Sequence, residues 1–131
     1  MRWCPSSGGT DEGSAVAEFA AVAGLLALLF AAVVQVAVVQ HVRATAVDCA
    51  GEGARFGALV GSSPAAGADR ARELLGASLS PRFARDVGAS VVQVVGVAVV
   101  EVRVRAPLPV VGLLGPDRAL DVVGHAALEV P

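Results

Sequence analysis

The chain has 131 residues, 55% of them hydrophobic, with a formal net charge of −2. That length accommodates one small folded unit and excludes two sizeable domains. The near-neutral balance, without a basic stretch, argues against nucleic acid or a strongly anionic surface as a partner; all ten cations are arginine, which concerns codon usage and not function.

Residues 1–13, MRWCPSSGGTDEG, are polar and rich in Gly and Ser, the composition of a flexible leader. Only Arg2 is basic ahead of Asp11 and Glu12, so the segment lacks the n-region of a secretory signal. Cys4 has no apolar segment before it and is no lipoprotein acylation site.

Phe19 to Val39 carries no charge and one polar side chain, Gln35. As an α-helix it measures about 31 Å at ~1.5 Å per residue, the thickness of a bilayer's hydrocarbon core, and predicts a transmembrane segment. Cys4 and Cys49 fall on opposite sides of the run, so they cannot bridge within one chain that spans a membrane. Cys49 is expected to be a small buried apolar residue, with an intermolecular disulfide or a reactive thiol as alternatives. Glu18, at the mouth of the run, is costly unless it reaches the interface or a partner. Its bland role is that of a first-turn acid favoured by the helix dipole.

No Gly or Pro interrupts Gln40 to Ala50. Val42, Ala46, Cys49, Gly53, Phe56 and Val60 recur every three or four residues, which predicts one helix from Ser14 to Val60 with an amphipathic second half. Glu52 and Arg55 are placed to pair. Gly51 and Gly53 weaken this helix, and Gly61-Ser62-Ser63-Pro64 ends it. A second helix is predicted over Ala65–Leu79, with Ala68, Ala71, Arg72, Leu75 and Leu79 on one face and Ser80-Pro81 closing it. Arg82, Arg85 and Asp86 are expected to be surface charges.

From Ser90 the period changes to two. Val91–Val95, Val97–Ala106 and Leu120–Val130 predict three short antiparallel strands, with Gly96 at the first turn. Ala98, Val100, Val102, Val104 and Ala106 share one face, as do Leu120, Val122, Ala126, Leu128 and Val130. The fold class is therefore α+β: a long N-terminal helix, a short second helix and a small three-stranded antiparallel sheet. The loop Pro107–Pro116, PLPVVGLLGP, is apolar enough to tuck under the sheet or to meet a neighbouring subunit or a bilayer.

No catalytic constellation, cofactor loop or metal-ligand spacing emerges. His41 and His125 are isolated, and Gly51, Gly53 and Gly57 lie in a helical pattern and not between a strand and a helix. An enzyme is not expected, and neither is a cofactor or a metal.

Two local motifs carry a family resemblance. Gly13 followed by Ser14-Ala15-Val16-Ala17-Glu18-Phe19 and the apolar run resembles the class III signal of type IV pilins and pseudopilins. That resemblance implies a prepilin peptidase cutting after Gly13 on the cytoplasmic side, a mature chain beginning at Ser14, and Glu18 pairing with the new α-amine of a neighbouring subunit. Unpaired charge in a low-dielectric helical bundle is heavily penalised, so such a pair fixes register. Further on, Glu52-Gly53-Ala54-Arg55 in a small-residue helix is similar to TadE-like proteins, minor pilin-like components of the tight-adherence (Flp) pilus systems. The order helix, helix, sheet with a proline-flanked loop resembles them too. The resemblance implies a non-enzymatic pilus-assembly or secretion component in the cytoplasmic membrane. Its N-terminus would be cytoplasmic, residues 61–131 would form a small extracytoplasmic domain, and its partners would be prepilin peptidase, other pilin-like subunits and pilus assembly proteins. Two other outcomes stay open from the residues: an unprocessed single-pass protein with a partner-binding outer domain, or a secreted domain released after Ala44-Thr45-Ala46. Flanking charge does not orient the span, since Arg2 is offset by Asp11 and Glu12 while Arg43 and Arg55 lie on the other side.

Overall fold

In the computed structural model, residues 1, 11–108 and 119–131 are described. Helix α1 runs over Asp11–Ala58 and α2 over Pro64–Ser78, followed by a 3-10 turn at Pro81–Ala84. Strands β1 (Asp86–Val94), β2 (Val97–Pro107) and β3 (Ala119–Ala127) form an antiparallel sheet in the order β1-β2-β3. The fold is the predicted α+β arrangement. The chain divides into two compact units, Met1–Val36 and Ala37–Pro131.

Within the first unit, α1 is apolar on every side from Phe19 to Val36 apart from Gln35: Phe19, Leu25, Leu28 and Phe30 are each about two-thirds exposed or more, and Val22, Leu26, Leu29, Val33 and Val36 are exposed as well. A helix hydrophobic all round has no face to give to water, which distinguishes it from an amphipathic surface helix.

The second unit holds the core. Val42, Ala46, Cys49, Ala50, Ala54 and Ala58 from α1 pack with Ala68, Ala71 and Leu75 from α2, Phe83, and Val87, Val100, Val102, Val104, Ala106, Leu120 and Val122 from the sheet. Leu75, Leu120, Val100, Val102 and Val104 are the largest fully buried side chains. Each contributes roughly 1.5–3 kcal/mol of burial.

Several boundaries move. Helix α1 begins at Asp11, before the expected Ser14, and ends at Ala58, so Val60 lies outside it. The expected stripe drifts off the core at its end: Phe56 and Val60 are exposed, and Gly57 and Ala58 are buried in their place. A strict three-four spacing follows one residue per turn, whereas the buried face is two residues wide at Gly53-Ala54 and Gly57-Ala58. Helix α2 starts one residue early because Ser63 caps it, its Oγ accepting from the Ala66 N–H at 3.2 Å, with Pro64 pre-set for the first turn. Strand β1 starts at Asp86, where the period-two pattern is blurred by Gly88. Strand β3 ends at Ala127, leaving Val130 exposed and not inward. The apolar loop falls, from Pro109 onward, outside the described residues; Leu108 packs against the core.

Val95 is not the last strand residue but half of a two-residue turn with Gly96, at φ 51° and 80°. Two left-handed residues match the twist of a hairpin, which is why Asn-Gly is favoured there. A β-branched side chain in that region is strained, at about 1–3 kcal/mol. Val95 is also wholly exposed, so it gains nothing from burial. Val95→Asn is expected to stabilise the protein by about 1 kcal/mol, read as a higher urea midpoint with unchanged slope for the full chain in detergent micelles.

Candidate membrane-insertion and processing segment

The residues singled out in the sequence, Gly13, Ser14, Glu18 and Phe19, all lie in the first turns of α1 and are exposed. Gly13 and Ser14 are helical, not part of an extended leader. Glu12, in the first turn, lies where a carboxylate is favoured by the helix N-terminal partial charge. Ser14 and Glu18 are one turn apart on the same face, and the Ser14 hydroxyl donates to Glu18 Oε1 at 3.4 Å. Helix periodicity alone brings them together: positions i and i+4 are neighbours on any α-helix.

From Phe19 to Gln40 no residue is ionisable, and α1 is long and apolar enough to cross a membrane. Thr45 Oγ1 returns a hydrogen bond to the His41 carbonyl at 2.9 Å, and Arg43 supplies the first cation after the run.

Beyond the apolar stretch, α1 lies directly on the sheet and on α2. Glu52 and Arg55 form the expected ion pair at 3.1 Å, but both are exposed and the contact is worth little. Gly53, between them, matters more. A Cβ there would meet the Gly67 carbonyl oxygen at 2.6 Å and Ala71 Cβ at 2.8 Å. The glycine expected to weaken α1 instead lets α2 approach it. Gly124 does the same for the sheet: a Cβ would run into the Ala50 carbonyl carbon and the Gly51 nitrogen. Both residues could have been found from the sequence, since an isolated glycine at an inward strand position or in a small-residue helix signals close backbone approach.

Cys49 is buried, as expected, and lines an open groove of about 700 Å³ with Thr45, Asp48, Ser78 and His125. Burial first and the Asp48 carboxylate second push its thiol pKa above the ordinary value, while a Ser78 hydrogen bond opposes them. A thiol held protonated in this way is the reverse of an activated nucleophile. His125 Nε2 lies 2.9 Å from Glu101 Oε2 on the outer sheet face, beside the Arg103–Asp121–Arg105 cluster. Among the described residues, no group of three or more His, Cys, Asp or Glu is placed to hold a metal ion.

An apolar helix long enough to cross a membrane, in a chain that also carries a small α+β unit, is consistent with a single-pass membrane anchor. Residues 13–55 match a family model described as TadE-like protein. The match begins at Gly13 and ends at Arg55, the outer limits of the two motifs that carry the resemblance, and it fits a membrane-anchored protein related to the Tad pilus. No curated protein and no solved structure matches the chain.

Proposed function

We propose that this protein is a TadE-like minor pilin or pseudopilin, a non-enzymatic component of tight-adherence pilus assembly or secretion. It would be held in the cytoplasmic membrane by α1, with its N-terminus cytoplasmic and its α+β unit extracytoplasmic. The observation that carries this reading is the family match starting at Gly13, with Ser14 and Glu18 stacked one turn apart directly before the apolar run. Cleavage after Gly13 would turn the Ser14 nitrogen into an ammonium at the head of an apolar helix. Glu18 is the only carboxylate between Ser14 and Asp48, so it is the counter-charge such an amine has to find, in a neighbouring subunit or its own. Prepilin peptidase, other pilin-like subunits and pilus assembly proteins are the partners this reading requires.

A second reading has two observations in its favour. Helix α1 begins at Asp11, so the Gly13–Ser14 bond lies inside a helical turn, and the leader has a single basic residue. That suits an unprocessed single-pass protein whose outer unit binds a partner.

Intact mass of the membrane-extracted chain, with and without the host's prepilin peptidase, separates the two. The expected result is a chain starting at Ser14 only when the peptidase is present. Glu18→Ala in that background is then expected to leave processing intact and to abolish recruitment into the assembly. A chain that keeps residues 1–13 in both strains overturns the pilin reading, and a start at Val47 makes it a secreted protein.

A further inference from the structure

Seven of the ten residues Val91–Val100, at the tip of the β1–β2 hairpin, are valine. Gln93 is the single polar side chain among them, and no residue from Val87 to Val100 is ionisable. The register spreads these residues over both faces. Val91↔Val100 and Gln93↔Ala98 pair on the face that packs on the helices, since Val100 belongs to the core. Val92↔Val99 and Val94↔Val97 pair on the opposite face. Near the turn neither face is covered: Val91 is 48% exposed on one, Val94 45% and Val97 53% on the other, and Val95, at the end, 99%.

Polarity changes along the hairpin and not across it. On the face turned from the helices, the pair after Val92↔Val99 is Ser90↔Glu101, with His125 lying 2.9 Å from Glu101. Arg103 follows, and then Asp86, Arg105 and Asp121 in one row. A charged belt thus adjoins an apolar tip about 10 Å tall, at ~3.3 Å per residue from Val95 to Val92. On the β3 side the tip is bordered by Glu129, whose N–H donates to the Ala58 carbonyl at 3.0 Å.

A strand pair at the surface of an antiparallel sheet normally turns one face to the core and a polar one to water. This tip has no polar face to turn. A protein partner laid on either face leaves the other wet, and the tip lacks the Trp, Tyr and Arg that anchor protein interfaces. A medium that surrounds the hairpin covers both faces and the end together. Val95 points the same way. At φ 51° and wholly exposed, it is unfavourable in water both for its backbone and for its side chain, and immersion of that side chain offsets the cost.

We propose that the hairpin tip, Val91 to Val99, immerses in the interfacial layer of a lipid bilayer, down to the charged belt at Glu101. The height of the tip matches the ~5–10 Å to which interfacial segments are buried. At that depth water and ester groups still reach the backbone of the turn, which bare hydrocarbon would leave unpaired. The proposal rests on the Ala37–Pro131 unit alone and is independent of cleavage at Gly13.

The test uses tryptophan fluorescence of the full chain in phosphatidylcholine/phosphatidylglycerol vesicles. Trp3→Phe removes the native indole, and Val97→Trp places one in the tip. A sibling chain carries Val123→Trp, in the charged belt, as the control for depth. Phospholipid brominated near the glycerol end of its acyl chains is supplied either in the host vesicles or in added protein-free vesicles, and iodide is the aqueous quencher. The expected result is an indole at position 97 quenched by brominated lipid and shielded from iodide, with the reverse at position 123. Val95→Asn and Val94→Lys should each lower the lipid quenching about tenfold, the worth of one immersed valine side chain. Val95→Asn is expected to stabilise the fold, so its effect is not one of unfolding. Lipid quenching from either vesicle population supports the proposal, and the population that gives it identifies the bilayer. Free access of iodide to position 97 overturns it. So does shielding from both quenchers, which would mean a protein cover, and so does lipid quenching indifferent to both substitutions.

Discussion

Gly124→Ala is expected to destabilise the Ala37–Pro131 unit by about 3 kcal/mol or more, a large share of the ~5–15 kcal/mol that holds a small domain folded. The added methyl has nowhere to go. It would overlap the Ala50 carbonyl carbon and the Gly51 nitrogen of α1, with the Ala50 oxygen at 2.5 Å. These are backbone atoms in the middle of a hydrogen-bonded helix, so no rotamer change relieves the clash. Helix α1 has to lift from the sheet, and Ala46, Ala50 and Ala54, all fully buried, lose their contacts together. Thermal unfolding of the full chain in detergent micelles should show a drop of ten degrees or more, or no cooperative transition, while the helical signal of the apolar run persists. A melt within two degrees of the parent would mean that α1 does not rest on the β3 backbone.

The difference between what the sequence discloses and what it hides follows from the kind of signal each element leaves. The apolar run, the period-two strands and the break between the helices at Gly61-Ser62-Ser63-Pro64 are written in side-chain chemistry, and they are legible to within a few residues. The packing of α1 is written in the absence of side chains. Gly53, Gly57, Gly67 and Gly124 look like weak helix formers or strand gaps until the chain opposite each one is known. An isolated glycine signals close backbone approach, but a single sequence does not say to which segment, so Gly53 looks like a weak point of α1 and Gly124 like a gap between Val122 and Ala126. The turn at Gly96 is legible, but Val95's part in it is not, because valine is the residue least suited to its φ. At the candidate site the order is reversed. Gly13, Ser14, Glu18 and Phe19 were legible as a motif, and the structure adds to it only an exposed helical turn and a 3.4 Å contact. What makes these residues matter lies in a membrane and in other molecules, and no fold of one chain carries that.

The packing of the two helices gives the second large expectation, and it comes with its own control. Gly67→Ala places a Cβ 2.5 Å from the Gly53 carbonyl oxygen, 3.0 Å from Gly57 Cα and 3.2 Å from Gly57 N. The contact is reciprocal, since a Cβ on Gly57 would meet Gly67 Cα at 3.3 Å and Ser63 O at 3.1 Å. Gly53 and Gly57 are four residues apart on α1, and Gly67 and Ala71 four apart on α2, so two small-residue faces let the helix backbones touch. Separating them by a methyl group exposes Ala54, Ala68 and Ala71 and pulls Arg72 from the Val87 carbonyl. A cost of about 2–3 kcal/mol is expected, as for overpacking of a tight core. Gly76 lies in the same helix, and a Cβ there meets nothing within 4 Å. Gly76→Ala should therefore stabilise by about 0.5–1 kcal/mol, the ordinary helix-interior gain. Urea unfolding of the two variants side by side separates propensity from packing. Opposite signs establish that α2 is held by backbone contact at Gly67, and a gain in both would mean that the helices stand further apart than an unobstructed glycine contact allows.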